Sequence, residues 1–154
     1  MRARGRTVDA TYVRILVIDD EPDVLLLCRV NLEFEGHEVF EAPDGERGLE
    51  TAAAERPDLI VLDIMLPQRD GFSVLERLHA MEETREIPVI LLTAKAREED
   101  QIRGWRTGAD EYVTKPFSPV ALSEAVRKVA DMTPQEREAR RAEQLDQLSI
   151  LNRL

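Results

Sequence analysis

Short β-branched apolar runs alternate along this chain with longer stretches of helical period, and turn residues separate one from the next. This alternation limits the fold more than any other feature. The strand candidates are Arg14–Ile18, Glu38–Ala42, Leu59–Leu62, Val89–Leu92 and Tyr112–Thr114. The first, third and fourth are nearly all apolar, as strands are when helices cover both faces of a sheet. Such a sheet is parallel, which makes the chain an α/β domain of the doubly wound kind.

The helices expected between the strands differ in how well they can be held. The first runs from about Pro22, suited to a first-turn position, to Glu35, with Val24, Leu27, Cys28 and Leu32 as its apolar stripe and Gly36 as its stop. Others span Gly45 to Glu55, Ser73 to about Met81, and Pro119 to Ala130, where Leu122, Ala125, Val126 and Val129 keep a helical spacing. Between Arg97 and Thr107 only Ile102 and Trp105 are large and apolar, so that helix is expected to be loosely held, with Trp105 as its anchor. Cys28 reads as a small core residue, and His37 and His79 as surface residues.

At 154 residues the chain has the length of one domain with a short appendage. Residues 14–130 carry the five strand-and-helix units, residues 1–13 read as a flexible extension, and residues 131–154 as a C-terminal helical extension or linker. Thr133-Pro134-Gln135-Glu136 has the form of a capping box that starts this last helix. Leu145, Leu148, Leu151 and Leu154 recur every three residues, a spacing that drifts around a helix and does not hold a coiled-coil seam. Lys and Arg total 21 against 31 Asp and Glu, a balance of −10 that lacks the basic footprint of a nucleic-acid binder. No apolar run approaches the length of a membrane span, and a single cysteine forms no internal disulfide. A soluble, cytoplasmic chain with no membrane partner is expected.

In a parallel sheet all strand carboxyl ends lie on one edge, where ligands bind. Asp19 and Asp20 follow the first apolar run, Asp63 the third, Thr93 the fourth and Lys115 the fifth. Each alone has an ordinary reading, as a helix-start acid, a turn residue, a cap or a solvated lysine. Together they place three carboxylates against one ammonium at a single edge. Two carboxylates about 4 Å apart repel by roughly 4 kcal/mol at an effective dielectric of 20. Either one carboxyl titrates far above its ordinary range or a cation sits among them, and an all-oxygen donor set without His or Cys favours Mg²⁺ or a similar ion. A cation at this edge is expected.

The stretches Ile15-Leu-Val-Ile-Asp-Asp-Glu-Pro-Asp23, Leu62-Asp-Ile-Met-Leu-Pro-Gln-Arg-Asp-Gly71, Leu91-Leu-Thr-Ala-Lys95 and Gly108-Ala-Asp-Glu-Tyr-Val-Thr-Lys-Pro-Phe117 resemble the receiver domains of bacterial two-component response regulators, in order and across the whole domain. The resemblance implies a five-stranded, flavodoxin-like parallel sheet of order 2-1-3-4-5. It implies that Asp63 accepts a phosphoryl group from the phosphohistidine of a sensor histidine kinase, with Mg²⁺ or Mn²⁺ held by Asp20, Asp63 and the Met65 backbone carbonyl, and with Asp19 acting through metal-bound water. Thr93 and Lys115 would hold phosphoryl oxygens, Thr93 and Tyr112 would form the switch, and the Lys115-Pro116 bond would be cis. Met65 and Lys95 would flank the pocket and tune its access to water. Such a module catalyses only its own phosphotransfer and dephosphorylation. A phosphatase of small phosphomonoesters is the competing reading; those hydrolases carry a second Asp two residues after the nucleophile, where this chain has Met65.

The run from Arg103 to Tyr112 and the Leu66 before Pro67 look like receivers that precede winged-helix DNA-binding domains. Here only residues 131–154 follow, so no direct nucleic-acid contact by this chain is expected. The tail reads either as a dimerisation or partner-docking helix, or as the first part of a signalling helix, and a homodimer would use it or the face of the fourth and fifth helices.

Overall fold

The computed structural model describes residues 12–94 and 97–152. The N-terminal extension before Tyr12, Lys95 and the final two residues of the tail lie outside the described residues. Five strands form one parallel sheet: β1 (Arg14–Ile18), β2 (Glu38–Ala42), β3 (Leu59–Asp63), β4 (Val89–Thr93) and β5 (Glu111–Thr114), in the spatial order β2-β1-β3-β4-β5. Six helices accompany them: α1 (Pro22–Phe34), α2 (Gly45–Glu55), α3 (Gly71–Ala80), α4 (Glu98–Thr107), α5 (Pro119–Ala130) and α6 (Pro134–Asn152).

The central strands bury both faces because their side chains alternate between two separate apolar layers. Ile15, Val17, Leu59, Val61, Ile90 and Leu92 pack with Cys28 and Leu32 of α1 and with Leu122 and Val126 of α5. Leu16, Ile18, Ile60, Leu62 and Leu91 point the other way, into Leu49 of α2 and Phe72, Leu75 and Leu78 of α3. Burial of a Leu or Ile side chain stabilises by about 1.5–3 kcal/mol, so the ladder is secured from both sides and its carboxyl edge becomes a rigid mount. Asp63 and Thr93 belong to that ladder and do not merely follow it: Asp63 is in register with Leu92, and Thr93 with Thr114.

Side-chain caps fix several helix starts. Asp70 accepts the Ser73 backbone N–H at 2.8 Å, which begins α3 at Gly71, two residues earlier than the apolar pattern alone suggests. Asp44 caps α2 in the same way through Arg47, and Ser118 caps α5 through Ala121. At α6 the capping box forms: Thr133 Oγ1 accepts the Glu136 N–H at 3.1 Å and Glu136 Oε1 accepts the Thr133 N–H at 2.8 Å.

Three expectations change: Leu27, placed on the apolar stripe of α1, is 40% exposed, and Leu25 packs on the core in its stead. His37 is not a surface residue: it is buried, and its Nδ1 accepts the Val13 N–H at 3.1 Å, so the imidazole satisfies a backbone donor just before β1. His79 is half-buried, with Nε2 3.2 Å from the Gly108 carbonyl oxygen. Support for α4 comes partly from outside the sheet. Gly104 and Trp105 are its buried residues, and α6 folds back along it and covers one side.

Candidate functional site

The loop after β1 and the last residue of β3 meet the ammonium that follows β5. Lys115 Nζ lies 2.9 Å from Asp19 Oδ2, 3.0 Å from Glu21 Oε1 and 3.3 Å from Asp63 Oδ2. The peptide bond between Lys115 and Pro116 is cis, and the Lys115 N–H donates to the Thr93 carbonyl at 2.7 Å, which ties the end of β5 to the end of β4. Asp19 and Asp63 are buried, Asp20 is exposed, and one oxygen from each of the three carboxylates lies within 4.8 Å of the others. Thr93 is buried at the adjoining strand end, and Met65 is exposed at the mouth. A cleft beside them is lined by Asp20, Met65, Thr93, Arg97 and Arg103.

Backbone donors orient two of the carboxylates. Asp19 Oδ1 accepts the Glu21 N–H at 2.9 Å, and Asp63 Oδ1 accepts the Met65 N–H at 2.9 Å, leaving Oδ2 of Asp63 turned to the ammonium. Gly71 permits the tight return of the β3–α3 loop, because a Cβ there would lie 2.5 Å from the Asp63 carbonyl oxygen and 2.5 Å from Ile64 Cα. Its N–H donates to the Ile64 carbonyl at 2.7 Å.

Charge in the pocket is unbalanced. Burial, reinforced by the neighbouring Asp63, raises the Asp19 carboxyl above its ordinary range, although the Glu21 N–H and Lys115 pull it back. Burial works against the Lys115 ammonium too, but Asp19 and Glu21, with Asp63 behind them, outweigh it and hold the amine above its usual value. The two shifts have different leading causes: loss of water around a buried carboxyl for Asp19, and the surrounding carboxylates for Lys115. Among the described residues, Asp19 Oδ2 is fully buried with only the ion pair to Lys115, at 2.9 Å, to offset its charge. A buried, under-satisfied carboxylate beside two others is a donor set of the kind a hard divalent cation completes.

Tyr112 stands apart from these groups. Its hydroxyl donates to the Asp100 carbonyl at 2.7 Å, and its ring centroid is 5.9 Å from that of Trp105. Glu21 joins the site unannounced by its position at the start of α1, since its partner Lys115 lies 94 residues away. The Asp-Asp-Glu run was the available signal.

Comparison with known proteins agrees with this geometry. Residues 15–127 match the family model described as the response regulator receiver domain. The chain is 46% identical over 120 residues to the DNA-binding dual master transcriptional regulator RpaA of Synechocystis, covering 78% of this chain and 50% of that protein. It is 42% identical over 116 residues to the phosphate regulon transcriptional regulatory protein PhoB of Escherichia coli, covering 75% of this chain and 51% of PhoB. The chain thus spans about half the length of the curated relatives it matches. Among solved structures, the chemotaxis protein CheY4 of Vibrio cholerae superposes with a TM-score of 0.74 at 27% identity, over 77% of this chain and 98% of CheY4. The receiver domain of the sensor histidine kinase PA1611 of Pseudomonas aeruginosa, solved with a magnesium ion in its active site cleft, gives 0.72 at 29% identity over 78% of this chain and 98% of that one. With the sheet order, the acidic strand edge and these matches in agreement, the chain belongs to the response regulator receiver domain family of two-component signalling.

Proposed function

We propose that Asp63 is the phosphoacceptor, taking a phosphoryl group from the phosphohistidine of a sensor histidine kinase. The observation that carries this is the position of Asp63: a buried carboxylate on the last rung of β3, its Oδ2 turned to the Lys115 ammonium and its Oδ1 fixed by a backbone N–H. In the reaction an Asp63 oxygen forms a bond to phosphorus while the bond from phosphorus to the donor's imidazole nitrogen breaks, and that nitrogen keeps the electron pair. No proton need be removed from an ionised carboxylate, so positioning and charge stabilisation suffice. Mg²⁺ or Mn²⁺, held by Asp20, Asp63 and the Met65 carbonyl with Asp19 through water, would supply the positive charge that offsets the phosphoryl oxygens. The three carboxylate oxygens within 4.8 Å of one another, and the buried Asp19 Oδ2, support that ligand set.

The residues of the chain do the remaining work. Lys115 binds one phosphoryl oxygen and the Thr93 hydroxyl donates to another. Tyr112 follows when Thr93 turns to the phosphoryl group. A few charge-assisted hydrogen bonds reach the roughly 5.5 kcal/mol needed to turn a two-state equilibrium from 1:99 to 99:1. On this reading the chain is a cytoplasmic switch that catalyses only its own phosphotransfer and dephosphorylation. Residues 14–130 are the switch and residues 131–154 carry its state outward. Self-association through α6 or through the α4 and α5 face belongs to the same reading. What the relatives' names say of transcription and DNA is said of those whole proteins.

The test uses acetyl phosphate, from which Asp63 takes the phosphoryl group as the bond from phosphorus to the acetyl oxygen breaks and acetate leaves. Intact mass spectrometry is expected to find one phosphoryl adduct in the presence of Mg²⁺ and none after chelation or in Asp63→Asn. An unchanged adduct in that variant, or continuous turnover of a phosphomonoester, overturns the assignment.

A further inference from the structure

The face formed by α4 and β5 is already occupied. α6 lies along α4 with Arg137, Arg140, Arg141, Gln144, Leu145 and Leu148 turned inward, the three- and four-residue spacing of one helix face. Leu148 is 9% exposed, so apolar contact closes the far end of the seam.

Arginines close the near end. Asp110 is 3% exposed; its Oδ2 accepts the Val89 N–H at 2.9 Å, and its Oδ1 lies 2.6 Å from Arg141 Nη1 and 3.4 Å from Arg137 Nε. Arg137 also donates to the Glu86 carbonyl at 3.0 Å. Arg140 donates to the Asp110 carbonyl, places Nη2 3.0 Å from Glu111 Oε2, and sets its guanidinium 5.3 Å over the Trp105 ring. The Trp105 ring in turn packs on Tyr112, whose centroid is 5.9 Å away. One stack therefore runs from Arg140 through Trp105 to Tyr112.

We propose that the α4–β5 face is a docking surface for an arginine-bearing amphipathic helix, filled in the resting state by the chain's own α6, and that phosphorylation loosens α6 through this stack. The second clause rests on the reading of Asp63 and Tyr112 above. A conformational change shifts docking only by the contacts that differ between its two states. Asp110 immediately precedes β5 and is tied to β4 by two hydrogen bonds with Val89, and Glu111 opens β5, so on this proposal their contacts do not change. The contact that differs is Arg140 over Trp105, since Trp105 rests on Tyr112. Loss of a partly buried cation–π contact corresponds to about a ten-fold change in the docking equilibrium. Loosening exposes the arginine stripe of α6 and the acidic, tryptophan-floored surface beneath it, two complementary surfaces at once.

The experiment uses the full chain. Hydrogen exchange of the α6 amides and the emission of Trp105, the single tryptophan, are measured on the same sample with and without acetyl phosphate and Mg²⁺, while intact mass reports phosphoryl occupancy. Fully phosphorylated protein is expected to exchange about ten-fold faster in α6, with red-shifted Trp105 emission. Arg140→Ala, which removes the Trp105 contact together with those to Asp110 and Glu111, is expected to exchange at least about ten-fold faster in α6 without phosphate while still accepting it on Asp63. Unchanged α6 exchange on phosphorylated protein overturns the coupling alone. Unchanged exchange in Arg140→Ala overturns the docking contact. Absence of any adduct overturns the Asp63 reading and the coupling with it, and the Arg140→Ala arm still decides the docking.

Discussion

Gly104 gives Tyr112 the room it occupies, and replacing it tests that relation in energetic terms. A Cβ at position 104 would lie 1.8 Å from the Tyr112 hydroxyl oxygen, 2.7 Å from Cζ and 3.0 Å from Leu91 Cδ1. Leu91 can give by the few tenths of an ångström needed, but the tyrosine must leave. Gly104→Ala in a helix interior gains about 1 kcal/mol of intrinsic propensity. Against this, the hydroxyl's hydrogen bond to the Asp100 carbonyl is lost at about 1 kcal/mol, the Trp105 contact at about 0.5–1.5 kcal/mol, and overpacking adds about 1–3 kcal/mol. The net expectation is a loss of about 1.5–4.5 kcal/mol, read as a lower urea midpoint at unchanged slope. In a Tyr112→Ala background the steric partner is gone, and the same substitution is expected to be neutral or stabilising by up to about 1 kcal/mol. Equal losses in the two backgrounds would refute the reasoning, because the cost would then lie in α4 or Leu91 and not in the tyrosine.

Burial of the Asp19 carboxyl makes a second prediction. The Asp19 carboxyl titrates above its ordinary value of 3.8, so its favourable contribution is complete below that pH and is lost as pH rises through the folded value. At neutral pH without divalent ion, Asp19→Asn is therefore expected to raise the urea midpoint, within the roughly 0.5–3 kcal/mol of ordinary substitutions, while weakening Mg²⁺ binding at least about ten-fold by titration calorimetry. A lowered midpoint would contradict it. For His79, burial depresses the ring below 6.5, with Arg141 adding to the effect and Gly108, Asp110 and Arg85 opposing it. Folding thus favours the neutral ring, and its contribution is full above 6.5 and shrinks as pH falls. Urea midpoints of His79→Gln are expected to fall less steeply than those of the parent between about pH 7.5 and 5.5. At Gly71, where a Cβ meets backbone that cannot move aside cheaply, alanine is expected to cost about 2–4 kcal/mol and to slow phosphoryl uptake from acetyl phosphate, followed by intact mass.

The central strands were legible because burial on two faces writes itself as a continuous apolar run, and β3 and β4 carry little else. The acidic edge was legible for a related reason, since strand ends are where such runs stop, and in a parallel sheet all the ends coincide. Less could be read where a partner lies far along the chain. Glu21 looks like a helix-start acid until Lys115 is placed beside it, and His37 looks solvated until its ring meets the Val13 N–H. The early start of α3 turns on one cap, Asp70, outside the apolar pattern. Docking of α6 was hidden most completely, because an arginine-rich stripe reads as a solvated face when its acidic complement, Asp110 and Glu111, is some thirty residues distant.

The linker between α5 and α6 is only residues 131–133, and the capping box at Thr133 makes the second helix rigid from its first turn. Nineteen residues of helix at 1.5 Å each form an arm of about 28 Å. A pivot of about 20° at the short joint would sweep the far tip through roughly 10 Å, so an ångström-scale adjustment near Trp105 becomes a displacement comparable to the width of a helix. Mechanical gain of this kind needs no large rearrangement in the sheet, only a stiff rod and a fixed fulcrum.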